Sequence, residues 1–168
     1  YHSGGQLEVL GYTPFDRNYD FLHKIGLVMG NRAGLNWDLS AKQSFDLLQK
    51  IYNIPPKKYE KRVVDLTKML NVDHVLETQV RRLSLGERMK LELIGAILHD
   101  PQILFLDEPT IGLDIASKNS VREFLKYLHK EEGKTLLLTS HDMDDIAEVC
   151  ERVIVINHGQ IMYDDSMA

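Results

Sequence analysis

Leu83-Ser84-Leu85-Gly86-Glu87 and, one short helical stretch later, Ile103-Leu104-Phe105-Leu106-Asp107-Glu108-Pro109 decide how this chain folds. The second stretch is an apolar run of strand length that ends on two adjacent carboxylates. Open α/β sheets gather ligands at the carboxyl ends of their strands, so Asp107 and Glu108 are expected at a site. An Asp there can hold a hard cation directly or through water, and the neighbouring Glu can orient and polarise an attacking water. Ser84 and Gly86 open a helix whose first N–H groups lack intrahelical partners, which makes a cradle for an anion. Asp-Glu pairs and Ser N-caps are also common as plain helix ends, so the two stretches carry weight only together.

Working outward, residues 86–99 read as a helix closed by Asp100-Pro101, and residues 117–131 as another with Val121, Phe124, Leu125 and Leu128 inward. Gly133 ends that helix, and Thr135-Leu136-Leu137-Leu138-Thr139 gives the next strand before Ser140-His141-Asp142. This strand-helix-strand spacing predicts a parallel crossover, which brings His141 to the same sheet edge as the carboxylates. The unbroken apolar character of 103–107 predicts a sheet buried on both faces. Upstream, Ile25-Gly26-Leu27-Val28-Met29 predicts a buried strand that delivers a loop over 30–38.

Ser40 is a suitable N-cap for a helix to about 53, with Phe45, Leu48 and Tyr52 on one face and Pro55-Pro56 stopping it. A second helix over 57–70 puts Tyr59, Val63, Leu66 and Leu70 on one stripe, and with 73–76 these form a helical insert. Such stripes are core-forming and ask for no cofactor. Residues 6–10 alternate polar and apolar up to Gly11, the pattern of a half-buried strand with a very short partner or none. Residues 143–150 predict a short helix, and the runs 152–156 and 160–163 flank His158-Gly159 as a hairpin.

The 168 residues suffice for one domain with its own core, spanning 1–168, and would crowd two. Hydrophobic residues at 43% and charged residues at 27% exclude a disordered chain. A net charge of -5 without clustered Lys and Arg speaks against a general nucleic-acid binder. Cys150 is the single cysteine, so no intrachain disulfide can form, in keeping with a reducing compartment. No window reaches the roughly 20 apolar residues that span a bilayer, so any membrane contact is expected to be peripheral.

Together these residues strongly resemble the nucleotide-binding domain of ATP-binding cassette (ABC) transporters, and the resemblance covers essentially the whole chain. Leu83-Ser84-Leu85-Gly86-Glu87 resembles the family signature, and residues 103–108 the Walker B strand. Gly112-Leu113-Asp114 resembles the D-loop, and Ser140-His141-Asp142 the switch-histidine loop. The wording of 81–90 and 106–114 is most similar to bacterial exporter subunits for drugs, antibiotics or viologens. The implied fold is an α/β, P-loop NTPase-like core with a mainly parallel sheet. A helical insert at about 39–99 carries the signature, beside remnants of an antiparallel β subdomain. The implied activity is ATP hydrolysis that powers export through transmembrane permease subunits, with ATP and Mg²⁺ as cofactors and no nucleic acid.

In the family, two cassettes pack head to tail, and each ATP lies between one subunit's phosphate loop and the other's signature. The resemblance therefore implies that Ser84, Leu85, Gly86 and Glu87 serve the partner's ATP. It places Asp107 and Asn31 on Mg²⁺, Glu108 as general base and His141 against the γ-phosphate. Asn31 also lines the nucleotide, and Asp114 lies at the dimer seam. The implied location is cytoplasmic, peripheral on the inner face of the cell membrane.

Two departures stand out. Asn31 occupies the position where the family usually has Gln, keeping the amide but one methylene shorter, which points to a water-mediated metal contact. No Gly-x-x-x-x-Gly-Lys-Ser/Thr loop occurs, and no aromatic residue to stack on adenine. Tyr1-His2-Ser3-Gly4-Gly5 resembles the stretch after the phosphate-loop helix, so truncation is expected, along with weak or absent ATP binding by these residues alone. Two other readings stay open: a soluble ABC ATPase of translation or DNA repair, and a non-catalytic ABC-like dimerisation module.

Overall fold

The computed structural model describes residues 4–32 and 34–167. Its organising element is a three-stranded parallel sheet built from β1 (Ile25–Met29), β2 (Ile103–Asp107) and β3 (Thr135–Thr139), in that spatial order. Ile25 pairs with Ile103 and Ile103 with Thr135, while Met29, Asp107 and Thr139 align at the far end. The register brings all three carboxyl ends to one edge, so the loops that follow them start side by side.

Alternation along the strands sorts the side chains onto two faces. Val28, Leu104 and Leu106 are buried in the core, where they join Leu91, Leu93, Ile94 and Ile97 of α4 (Leu85–Ile97) and Val121, Phe124, Leu125 and Leu128 of α5 (Ile115–Lys130). Leu27 and Leu137 belong to the other face and are 57% and 56% exposed. The expectation of a sheet buried on both faces is therefore corrected: one face is buried and the other is largely open. An apolar run shows that a face can be covered, but the covering must come from elsewhere in the fold.

A one-turn helix, α1 (Tyr19–Leu22), precedes β1, and between β1 and α4 lie α2 (Ala41–Ile51) and α3 (Pro56–Met69) with two short 3-10 turns. Ser40 caps α2 through a capping box with Gln43, satisfying donors at both ends of the first turn. The Pro55-Pro56 pair acts at the next element, with Pro56 filling the first turn of α3. Phe45, Tyr59, Val63, Leu66 and Leu70 join the same core as the sheet, so the helical segment and the sheet share one interior.

The predicted strand over 6–10 does not form. Val9 and Tyr12 make an isolated antiparallel bridge around Leu10 and Gly11, both at positive φ, so among the described residues the alternating positions before Val9 find no strand partner. The expected hairpin at His158-Gly159 forms: both residues sit at positive φ and join β4 (Arg152–Asn157) to β5 (Gln160–Ser166) as an antiparallel pair. Tyr1 to Ser3, part of the stretch likened to the end of a phosphate-loop helix, lie outside the described residues. Among the described residues, no helix is long and apolar enough to cross a membrane.

Candidate functional site

Asp107 closes β2, and one of its carboxylate oxygens accepts a hydrogen bond from the Thr139 hydroxyl at 2.7 Å. The same hydroxyl accepts from the Glu108 N–H at 3.2 Å, and the Thr139 carbonyl accepts that N–H at 3.1 Å. The end of β3 thereby orients both carboxylate residues. Glu108 has φ +51°, a left-handed conformation that costs a non-glycine residue about 1 kcal/mol or more. That backbone turn separates its side chain from the line of the strand and starts the 108–111 turn, closed by Ile111 N–H to Glu108 C=O at 3.2 Å.

His141 lies just past β3, with Nε2 3.4 Å from Glu108 Oε1 and its side chain 95% exposed. The structure thus brings together the two residues assigned to base and γ-phosphate contact. Asn31 follows β1 on the same edge: Gly30 N–H donates to the Asp107 carbonyl at 2.8 Å, and a Cβ on Gly30 would run into the Glu108 carbonyl oxygen. Only glycine lets the Asn31 loop approach so closely.

Ser84 caps α4 with a capping box. The Glu87 carboxylate accepts from Ser84 N–H at 2.9 Å and from its hydroxyl at 2.7 Å, and these bonds hold the Glu87 carboxyl below its ordinary range. In this arrangement the donors assigned to an anion are held by a carboxylate of the same turn. Gly86 sits inside α4, where a Cβ would collide with the Ser117 hydroxyl and lie 3.7 Å from Asp114 Oδ2. Asp114 caps α5, accepting from Ser117 N–H at 2.9 Å and its hydroxyl at 2.7 Å, which lowers its carboxyl. The signature turn therefore packs on the 112–114 loop, and Gly112 passes beneath Leu85 at positive φ.

Sequence reasoning missed Glu92 and Asp145. Glu92 is buried on α4 between Leu91 and Leu93, and its carboxylate accepts from Gly34 N–H and Leu35 N–H at 2.9 to 3.2 Å. The signal was there: a carboxylate inside the apolar run of residues 91–97 must have a buried partner. Asp145 carried no such signal, since its acidic neighbours Asp142 and Asp144 make it look like a solvated face.

Among the described residues, no three His, Cys, Asp or Glu side chains converge on a metal position. The strand ends carry the Asp107 carboxylate, with Asn31 on the loop that the Gly30 N–H ties to the Asp107 carbonyl. That set suits a hard cation shared with phosphate and water, and not a cage built by protein alone.

A family profile described as "AAA domain, putative AbiEii toxin, Type IV TA system" matches residues 30–144. The chain is 34% identical to the ABC transporter ATP-binding protein NatA of Bacillus subtilis, over 96% of this chain and 65% of the relative. It is 31% identical to the energy-coupling factor transporter ATP-binding protein EcfA2 of Clostridium perfringens, over 99% of this chain and 60% of the relative. The chain thus spans less than two thirds of these curated relatives. A dimeric ATP-binding cassette solved in a post-hydrolysis state with ADP and Pi superposes with a TM-score of 0.79 at 24% identity, covering 94% of this chain and 71% of that one. The cbiO1 protein of Clostridium perfringens superposes with a TM-score of 0.76 at 26% identity, covering 88% and 59%. The chain belongs to the AAA domain family, and the relatives it resembles are ATP-binding subunits of ABC transporters.

Proposed function

We propose that these residues form part of an ATP-hydrolysing subunit of an ABC transporter, driving export through transmembrane permease subunits from the inner face of the membrane. The observation that carries this reading is the meeting of Glu108 and His141 beside Asp107 at the carboxyl edge of the parallel sheet. Glu108 takes the proton from the attacking water, while His141, 3.4 Å away, donates toward the transferring phosphoryl group. Asp107 and Asn31 would hold Mg²⁺, which supplies charge neutralisation at the phosphate oxygens.

Ser84, Leu85, Gly86 and Glu87 face the nucleotide of a second ABC ATPase subunit, and Asp114 lies at the seam. Packing of the signature turn on the 112–114 loop favours this assignment, because it makes both one continuous surface. Binding ATP there requires Glu87 to release the Ser84 donors, so dimer closure reorganises the first turn of α4. The 168 residues contain no phosphate loop, so they do not themselves supply the Lys and Ser/Thr that cradle β- and γ-phosphates.

The test is ATP turnover by the purified full-length protein and its Glu108→Gln variant. Loss of a general base lowers kcat by about 10² or more. Near-normal turnover in the variant removes Glu108 from the base role.

A further inference from the structure

The His141 side chain is almost fully exposed and is held by no packing of its own, and the half-buried Glu108 starts a turn in a left-handed conformation. Their separation is therefore set by the two loops that carry them. Both loops are tied to one carboxylate, Asp145 of α6 (Met143–Val149), which is 1% exposed. Asp145 Oδ2 accepts from the Ser140 hydroxyl at 2.8 Å, and Ser140 directly precedes His141. The same oxygen accepts from the Thr110 hydroxyl, two residues after Glu108, and Thr110 is itself 3% exposed. The other oxygen, Oδ1, accepts from Arg122 Nε of α5 at 2.7 Å.

Arg122 supplies the charge that makes a buried carboxylate tenable, and it also reaches Asp142 at 3.5 Å and Glu148 at 3.3 Å. Lys118 adds a bond from α5 to Asp142 at 2.5 Å. Ser140 also accepts from Asp142 N–H at 3.0 Å, closing the loop around His141. Three segments thus converge on one buried acid: the loop after β2, the loop after β3, and α5.

We propose that Asp145 is a positioning residue that locks the Glu108 loop to the His141 loop and so fixes the Glu108–His141 separation for hydrolysis. The proposal rests on the reading of these two residues as base and phosphate contact. Asp145 touches no reacting atom; it acts through Ser140 and Thr110. A clamp of this kind has a specific consequence: removing one hydroxyl loosens the loop on the opposite side of the carboxylate.

Asp145→Asn leaves the buried Arg122 underpaired and risks misfolding, so the decisive variants are Thr110→Val and Ser140→Ala, which keep the Arg122–Asp145 pair. In the full-length protein, the double variant is expected to lower kcat for ATP tenfold or more with KM within about twofold. In a Glu108→Gln background the same substitutions should change kcat little, because the path through Glu108 is already cut. Amide hydrogen exchange gives a readout independent of turnover: Thr110→Val should speed exchange at residues 140–142. Unchanged kcat, an equal fold-loss in the Glu108→Gln background, or exchange confined to residues near 110 overturns the clamp. Coupled exchange in a protein that hydrolyses no ATP overturns the proposed function and supports the clamp.

Discussion

At the scale of single residues, the polar groups that shape this site are those whose burial demands a partner. Glu92 is the clearest. Burial pushes its carboxyl up from the ordinary value, while the N–H groups of Leu35 and Gly34 pull it down and the first effect prevails. A raised carboxyl means that the folded state binds the proton more readily than the unfolded chain does, so stability falls as pH rises from about the ordinary value through the folded one. Glu92→Gln, which cannot ionise, should lack that decline. Urea midpoints of the two proteins measured across the acid range should therefore approach or cross, with wild type gaining relative to the variant toward low pH. Removing the acceptor altogether, as in Glu92→Ala, strands two backbone donors at a cost of about 1–3 kcal/mol and should loosen the loop that begins at Gly30 and Asn31. The apolar neighbours of Glu92 made its special status legible. The Thr139 and Thr110 hydroxyls had no comparable mark, because a hydroxyl reads the same in sequence whether it is solvated or aimed at a carboxylate.

At the scale of elements, helix ends were the most legible feature, since their physics is local. Ser40 with Gln43 and Ser84 with Glu87 both form the capping boxes that their spacing permits. Ser84→Ala removes the hydroxyl that accepts from Glu87 N–H and donates to its carboxylate. The expected loss is about 1 kcal/mol of stability, read as a lower urea midpoint with unchanged slope. Strand positions were legible wherever an apolar run met its partner: β1, β2 and β3 fall on the residues expected of them. Residues 6–10 had the alternation of a strand, but a strand is defined by pairing, and among the described residues only the Val9–Tyr12 bridge pairs with them.

At the scale of the whole molecule, the two faces of the sheet differ in energy. Leu106 is 1% exposed in the core and Leu137 is 56% exposed on the open face. Leu106→Ala should cost about 2–5 kcal/mol through lost transfer and cavity terms, whereas Leu137→Ala should cost well under half as much, because little of its surface leaves water in this arrangement. Equal losses in chemical unfolding would mean that the open face is covered in solution. The sequence by itself determined the strand-helix-strand order, the caps, the parallel sheet and the residues at its carboxyl edge, because each follows from local periodicity or from side chains a few positions apart. Only the tertiary structure decided which sheet face is buried and that Glu108 and His141 meet. It also decided that Asp145 joins their loops and that the signature turn rests on the 112–114 loop. Leu85 meets Gly112 across 27 positions, Glu108 meets His141 across 33 and Thr110 meets Asp145 across 35, and no pattern of spacing along one element can encode which distant partner a buried polar group will find.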